Sequence, residues 1–111
     1  MDFASEHVGD VLVVKMAGRL DSSTAQAAED SFTSLLGKPS PYLALDMSQL
    51  DYISSAGLRV LLVVAKKLQQ AKGKMVLFGL VPNVREVFSI SGFDKIFMIE
   101  TDQDTAVTSV H

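Results

Sequence analysis

The chain has 111 residues, 48% of them hydrophobic and 21% charged, which excludes a disordered tail and makes one folded domain, residues 1–111, the expectation. A net charge of −3 argues against a general nucleic-acid binder, and the absence of cysteine excludes disulfides and thiolate metal sites. No apolar run approaches the roughly 18 residues of a membrane helix, and the N-terminus lacks the basic start of a secretory signal, so a cytoplasmic location is expected.

Phe3 to His7 and Val11 to Met16 are predicted to be two short strands, with Gly9-Asp10 as the hairpin turn between them. The nearly all-apolar Val11-Leu12-Val13-Val14 fits a strand covered on both faces. A helix follows: Ser23 with Gln26 matches a capping box, and Asp21 adds negative charge near its start. Ala25, Ala28, Phe32, Leu35 and Leu36 give it helical spacing, and Gly37 and Pro39 end it. Tyr42 to Leu45 is a third strand that ends at Asp46, and a short polar connection leads to Ser54-Ser55. There a long apolar helix opens, expected from about Ser55 to Ala71, with Leu58, Leu61, Leu62, Ala65 and Leu68 facing inward. Lys74 to Phe78 is a fourth strand. Pro82 to Ser91 is a short helix with Val84, Val87, Phe88 and Ile90 as its apolar positions, closed by Gly92. Phe97-Met98-Ile99 is a final strand, and Thr101 with Asp104 resembles the cap of a C-terminal helix holding Ala106, Val107 and Val110. This order, β-β-α-β-α-β-α-β-α, predicts an α/β domain with a mixed, mostly parallel sheet of four to five strands and about four helices.

Enzymatic chemistry has little to work with. His7 and His111 stand apart from any Ser-His-Asp or metal constellation and are read as surface residues. Glycine-rich nucleotide motifs are absent. Asp46 and Asp51 imitate a carboxylate pair, but a hard cation recruits more oxygen ligands, and Asp51 reads equally well as a turn or helix-approach residue. No enzyme, metal or cofactor is therefore expected. The Ser54-Ser55 pair is different. It places a hydroxyl in a helix's first turn, beside unpaired N–H groups and the positive end of the dipole, where a phosphate is well tolerated. Spacing alone also fits a simple N-cap by either serine. Gly57 costs roughly 1 kcal/mol in a helix, and its missing side chain is read as leaving space over the serines for a partner. Residues 52–85 hold Arg59, Lys66, Lys67, Lys72, Lys74 and Arg85 and no acid. Arg59, Lys66 and Lys67 share one stripe, either a solvated face or a weakly basic docking face.

Four segments then point to a family: Gly18-Arg19-Leu20-Asp21, Leu45-Asp46-Met47-Ser48, Asp51 to Leu58, and Phe88 to Phe93. Together they resemble the STAS domain of anti-sigma-factor antagonists. The resemblance implies a protein that, when unphosphorylated, binds an anti-sigma factor that is also a serine kinase, and so releases the sigma factor. The kinase phosphorylates a serine two residues before the motif glycine, which is Ser55 here, and a PP2C-like phosphatase reverses this. Asp21 matches the acidic residue before the first helix. Asp21, Ser22, Ser54, Ser55, Gly57, Leu58 and Arg59 are the expected partner-binding residues, with Tyr52 and Ile53 as candidate apolar contacts. Familiar members have Asp before the phosphoserine, where this chain has Ser54, which makes Ser54 an alternative acceptor. Ala56 stands where those members have Ser or Thr. Two alternatives stay open: a partner switch controlling a non-sigma target, such as secretion or a signalling enzyme, and a small nucleotide- or ligand-binding domain using the Ser55 helix terminus. A monomer is the expected free state.

Overall fold

The structure, a computed structural model, describes residues 1–36 and 42–111, without the side chain of Leu36. The helix-ending Gly37 and Pro39 fall outside the described residues. Five strands lie in the order in which the chain makes them: β1 (Asp2–Val8), β2 (Val11–Leu20), β3 (Tyr42–Ile53), β4 (Lys74–Phe78) and β5 (Met98–Glu100). β1 pairs antiparallel with β2 through the Gly9-Asp10 turn, and the other three pairings are parallel. The parallel connections are made by helices α1 (Ala25–Leu36), α2 (Ser55–Gln70) and α3 (Pro82–Ser91), the last followed by a 3₁₀ turn at Phe93–Lys95. A short α4 (Gln103–Ser109) closes the described chain. The expected mixed, mostly parallel α/β sheet is what forms.

Strand alternation divides the core in two. Leu12, Val14 and Met16 of β2, Leu43 and Leu45 of β3, and Leu77 of β4 point to the face covered by α1, α2 and α3. Phe32, Leu61, Val64 and Phe88 fill that layer from the helices. Val11, Val13, Ala44, Val76 and Phe78 point the other way and meet Ala106 of α4 and Val110, its C-cap. Val11 to Val14 are all buried, as a strand covered on both faces requires.

Several boundaries differ from the sequence expectation. β2 runs on to Leu20, and β3 continues through Asp46 and Asp51 to Ile53, so neither aspartate ends a strand or sits in a turn. Two register shifts against β2 explain why the pattern looked broken. Across them, Met47, Leu50 and Ile53 face the core three residues apart, and the polar residues between them read as a loop. The start of α1 is held by Asp21 rather than by a Ser23–Gln26 box: Asp21 Oδ1 accepts from the Ser23 amide (2.9 Å) and hydroxyl (2.6 Å), while Gln26 donates to Asp30. The N-cap of α4 is Asp102, accepting from the Thr105 amide at 2.9 Å, rather than Thr101. Gly92 does close α3, in the left-handed conformation at φ 78°. Ile90, expected among the apolar positions of α3, is 79% exposed, because Val84 and Phe88 already fill the inward face. In α2, Leu62 and Ala65 are half-buried, and Val60 and Val64 take the deeper positions.

Candidate functional site

The expected site residues gather at the C-terminal ends of β2 and β3, the end of a parallel sheet where helix N-termini open toward solvent. The Leu20 carbonyl, at the end of β2, accepts from the Ser54 amide at 2.9 Å. This bond ties the Asp21–Thr24 loop to the start of α2. On the other side, the Asn83 side chain of α3 donates to the Asp51 carbonyl at 2.5 Å. The platform beneath the serines is thus braced from both neighbouring connections.

The two serines have different roles. Ser54 is the N-cap of α2, with extended backbone (φ −101°, ψ 176°), and its hydroxyl accepts from the Gly57 amide at 3.3 Å. Its carbonyl takes the first helical bond, from Leu58 at 2.9 Å. Ser55, the first helical residue, is exposed, and among the described residues its hydroxyl has no hydrogen-bond partner. The amides of Ser55 and Ala56 likewise have no acceptor among them, as expected at a helix start. No acid lies in the first turn of α2. Arg59 is exposed, and one turn on it shares the face of Ser55.

Beside the serines, Arg19 and Tyr52 stand opposite each other in the β2–β3 register, with the Arg19 guanidinium 4.3 Å from the Tyr52 ring centroid. Arg19 Nε also lies 3.6 Å from Asp21 Oδ2. The Ser23 hydroxyl and amide, with smaller help from Thr24 and Arg19, hold the Asp21 carboxyl below its ordinary value. Asp21 is therefore a fixed negative charge at neutral pH. This Arg19–Tyr52 stack was not legible as a site in the sequence; only the strand register, shifted by the bulge, could have paired the two residues.

Other expected residues turn inward. Gly57 is buried, and a Cβ there would come within 2.7 Å of the Leu20 carbonyl oxygen and 2.8 Å of the Leu20 and Ile53 side chains. It lets α2 settle onto the strand ends; it does not open space above the serines. Leu58 and Ile53 are buried in the core, which leaves Tyr52, 37% exposed, as the apolar contact available to a partner. Ser22 is exposed in the loop before α1, and Asp21 is half-buried there. Of the basic stripe, Arg59, Lys66 and Lys67 are all exposed, and Lys67 donates to Thr33 of α1 at 3.0 Å. Asp46 and Asp51 form no pair: Asp46 is buried and bonded to Ser48, whereas Asp51 is exposed. His7 is exposed, and so is His111, which pairs with Asp10 at 2.6 Å.

The sequence profile of the STAS domain matches residues 2–106. The chain belongs to the STAS-domain family. This STAS domain is 39% identical over 109 residues to a Bordetella bronchiseptica protein, BtrV, named as an anti-sigma factor antagonist, covering 98% of this chain and 94% of the relative. It is 30% identical over 91 residues to the anti-sigma-B factor antagonist of Listeria monocytogenes, covering 82% and 80%. Among solved structures it is similar to an anti-sigma factor antagonist from Mycobacterium paratuberculosis, at 28% identity and a TM-score of 0.88, covering 98% of this chain and 92% of that one. Among the described residues, no helix of the STAS domain is long and apolar enough to cross a membrane.

Proposed function

We propose that this STAS domain is an anti-sigma-factor antagonist working in the cytosol as a partner switch, binding an anti-sigma serine kinase when unphosphorylated and released when Ser55 is phosphorylated. A PP2C-like phosphatase resets it, and the chain itself catalyses nothing. Relatives named as anti-sigma factor antagonists support the class of activity. The observation that carries the choice of residue is the division of labour between the serines: Ser54 is committed to the cap, and Ser55 offers an exposed, uncommitted hydroxyl beside two open amides.

A phosphate on Ser55 adds about −1.5 to −2 charges at the positive end of α2, where no acid competes. The free domain tolerates that charge. The penalty falls on the complex, in which a dianion is desolvated or set against partner carboxylates, and the ionised Asp21 raises the local negative potential. In the unphosphorylated state Tyr52, Arg59 and the Ser22 loop supply the exposed contact surface. The test is phosphate mapping by peptide mass spectrometry after incubation with host lysate, ATP and phosphatase inhibitors. Phosphate on Ser55, lost in Ser55→Ala, is the expected result. Phosphate on Ser54 alone, or none, would overturn this assignment.

A further inference from the structure

The second face of the sheet carries a cleft that lies away from the Ser55 terminus of α2. Helix α4 packs on that face over β3, β4 and β5. Toward the β1 side, Ala4 and Glu6 of β1, Val13 and Lys15 of β2, Asp46 of β3 and Gln103 of α4 line a cleft of about 270 Å³. That is room for one small organic molecule.

The chemistry of its lining is specific. Asp46 is 8% exposed, and it is the only buried charged residue among those described. Its Oδ1 is satisfied by the Ser48 amide at 2.9 Å and hydroxyl at 2.6 Å. Its Oδ2 has no hydrogen-bond donor among the described residues, and its nearest cation, Lys15 Nζ, stands 4.0 Å away, beyond hydrogen-bond range. The Lys15 side chain is itself 53% exposed and can swing out to water. Oδ2 is thus open to the cleft, loosely paired with Lys15, and free to accept from an N–H donor that enters. In the sheet register, Ala4, Lys15 and Asp46 form one row across β1, β2 and β3, and Glu6 and Val13 lie in the next row. Two carboxylates, Asp46 and Glu6, therefore face one ammonium, Lys15, which leaves the cleft one negative charge in excess. Ala4 and Val13 provide a small apolar floor between them.

We propose that this cleft is a binding site for a small organic monocation with N–H donors, a primary amine or guanidine on a short aliphatic stem. Its charged head donates to Asp46 Oδ2 in place of Lys15, its stem lies over Ala4 and Val13, and Glu6 and Gln103 close the rim. The site lies on the opposite face of the sheet from α2, and the inference is independent of what happens at Ser55.

The experiment is an amide-resolved NMR titration of the full chain with n-propylguanidine, with choline (a cation without N–H donors) and glutamate as comparison ligands. Saturable shifts at Lys15, Ser48 and Gln103 with n-propylguanidine, and not with choline or glutamate, are the expected result. Asp46→Asn should weaken binding at least about thirtyfold, the cost of removing one partner from a buried charged contact. Because that change also touches the Ser48 turn, two exposed variants keep the test independent of folding. Glu6→Gln should weaken n-propylguanidine binding about threefold, and Lys15→Met, which removes the competing internal cation, should tighten it by a similar, about threefold, factor. Non-saturating shifts, equal binding of choline, or weaker binding in Lys15→Met would overturn the proposal.

Discussion

Replacing the two adjacent serines separately should have different consequences for stability. Ser54→Ala removes the hydroxyl that accepts from the Gly57 amide. Loss of an N-cap typically costs about 0.5–2 kcal/mol. The 3.3 Å separation is longer than the usual 2.9–3.0 Å and places this cap in the lower half, at about 0.5–1 kcal/mol. For 111 residues, an unfolding entropy of about 2.1 cal/mol/K per residue makes 1 kcal/mol equal to roughly 4 °C, so Tm should fall by about 2–4 °C. Ser55→Ala removes an exposed hydroxyl without a partner among the described residues and should stay within about 0.5 kcal/mol of the parent. Ser55→Asp places a charge in a first turn that has no acid and should gain about 0.3–1 kcal/mol, or roughly 1–4 °C. Calorimetric melting of the three variants, with urea titration as a second measure, reads these differences directly. If Ser55→Ala costs as much as Ser54→Ala, or Ser55→Asp loses stability, the division between cap and free hydroxyl is wrong. If the pattern holds, partner release by Ser55→Asp cannot be ascribed to unfolding.

Gly57→Ala should destabilise by about 1–2 kcal/mol in urea unfolding: overpacking costs about 1–3 kcal/mol, here the upper part, about 2–3, because the nearest atom is the Leu20 backbone oxygen, and alanine returns about 1 kcal/mol of helix propensity. A neutral result would mean that α2 is free to lift from the strand ends. With phosphate installed at Ser55, Arg59→Gln should raise the second phosphate pKa, read by ³¹P NMR, by about 0.3 units, the equivalent of an i,i+4 pair worth about 0.4 kcal/mol. An unchanged titration would show that Arg59 does not face the phosphate. The Asp10–His111 contact should make stability pH-dependent. Its hydrogen bond raises His111 above 6.5 and lowers Asp10 below 3.8. The histidine contribution is complete below 6.5 and fades as pH rises through the raised value; the aspartate contribution is present above 3.8 and fades as pH falls through the lowered one. The pair thus works fully between about pH 4 and 6.5. The His111 ring-proton titration should move back down in Asp10→Asn, and a midpoint indifferent to that change would refute the pairing.

The sequence by itself determined the class of fold and the region of the site. Helical spacing in α2, the short apolar strands and the Gly92 stop depend on local geometry, which a single chain segment carries. So does the presence of a serine at the start of α2. Where the outcome depended on a neighbouring strand or helix, the sequence was silent or misleading. Asp46 looked like a strand end and Asp51 like a turn or helix-approach residue because bulged pairing with β2, invisible in β3 alone, carries the strand past them. Gly57 looked like room left for a partner, and only the packing of α2 on Leu20 and Ile53 shows it to be a contact with no space for a Cβ. Spacing could not choose between Ser54 and Ser55 as the cap. The choice was made when the Leu20 carbonyl took the Ser54 amide and fixed that residue in extended backbone, leaving its hydroxyl to the helix and that of Ser55 to solvent. Local propensity sets which elements form, but the role of each side chain depends on which of its hydrogen-bonding groups the rest of the fold has already used.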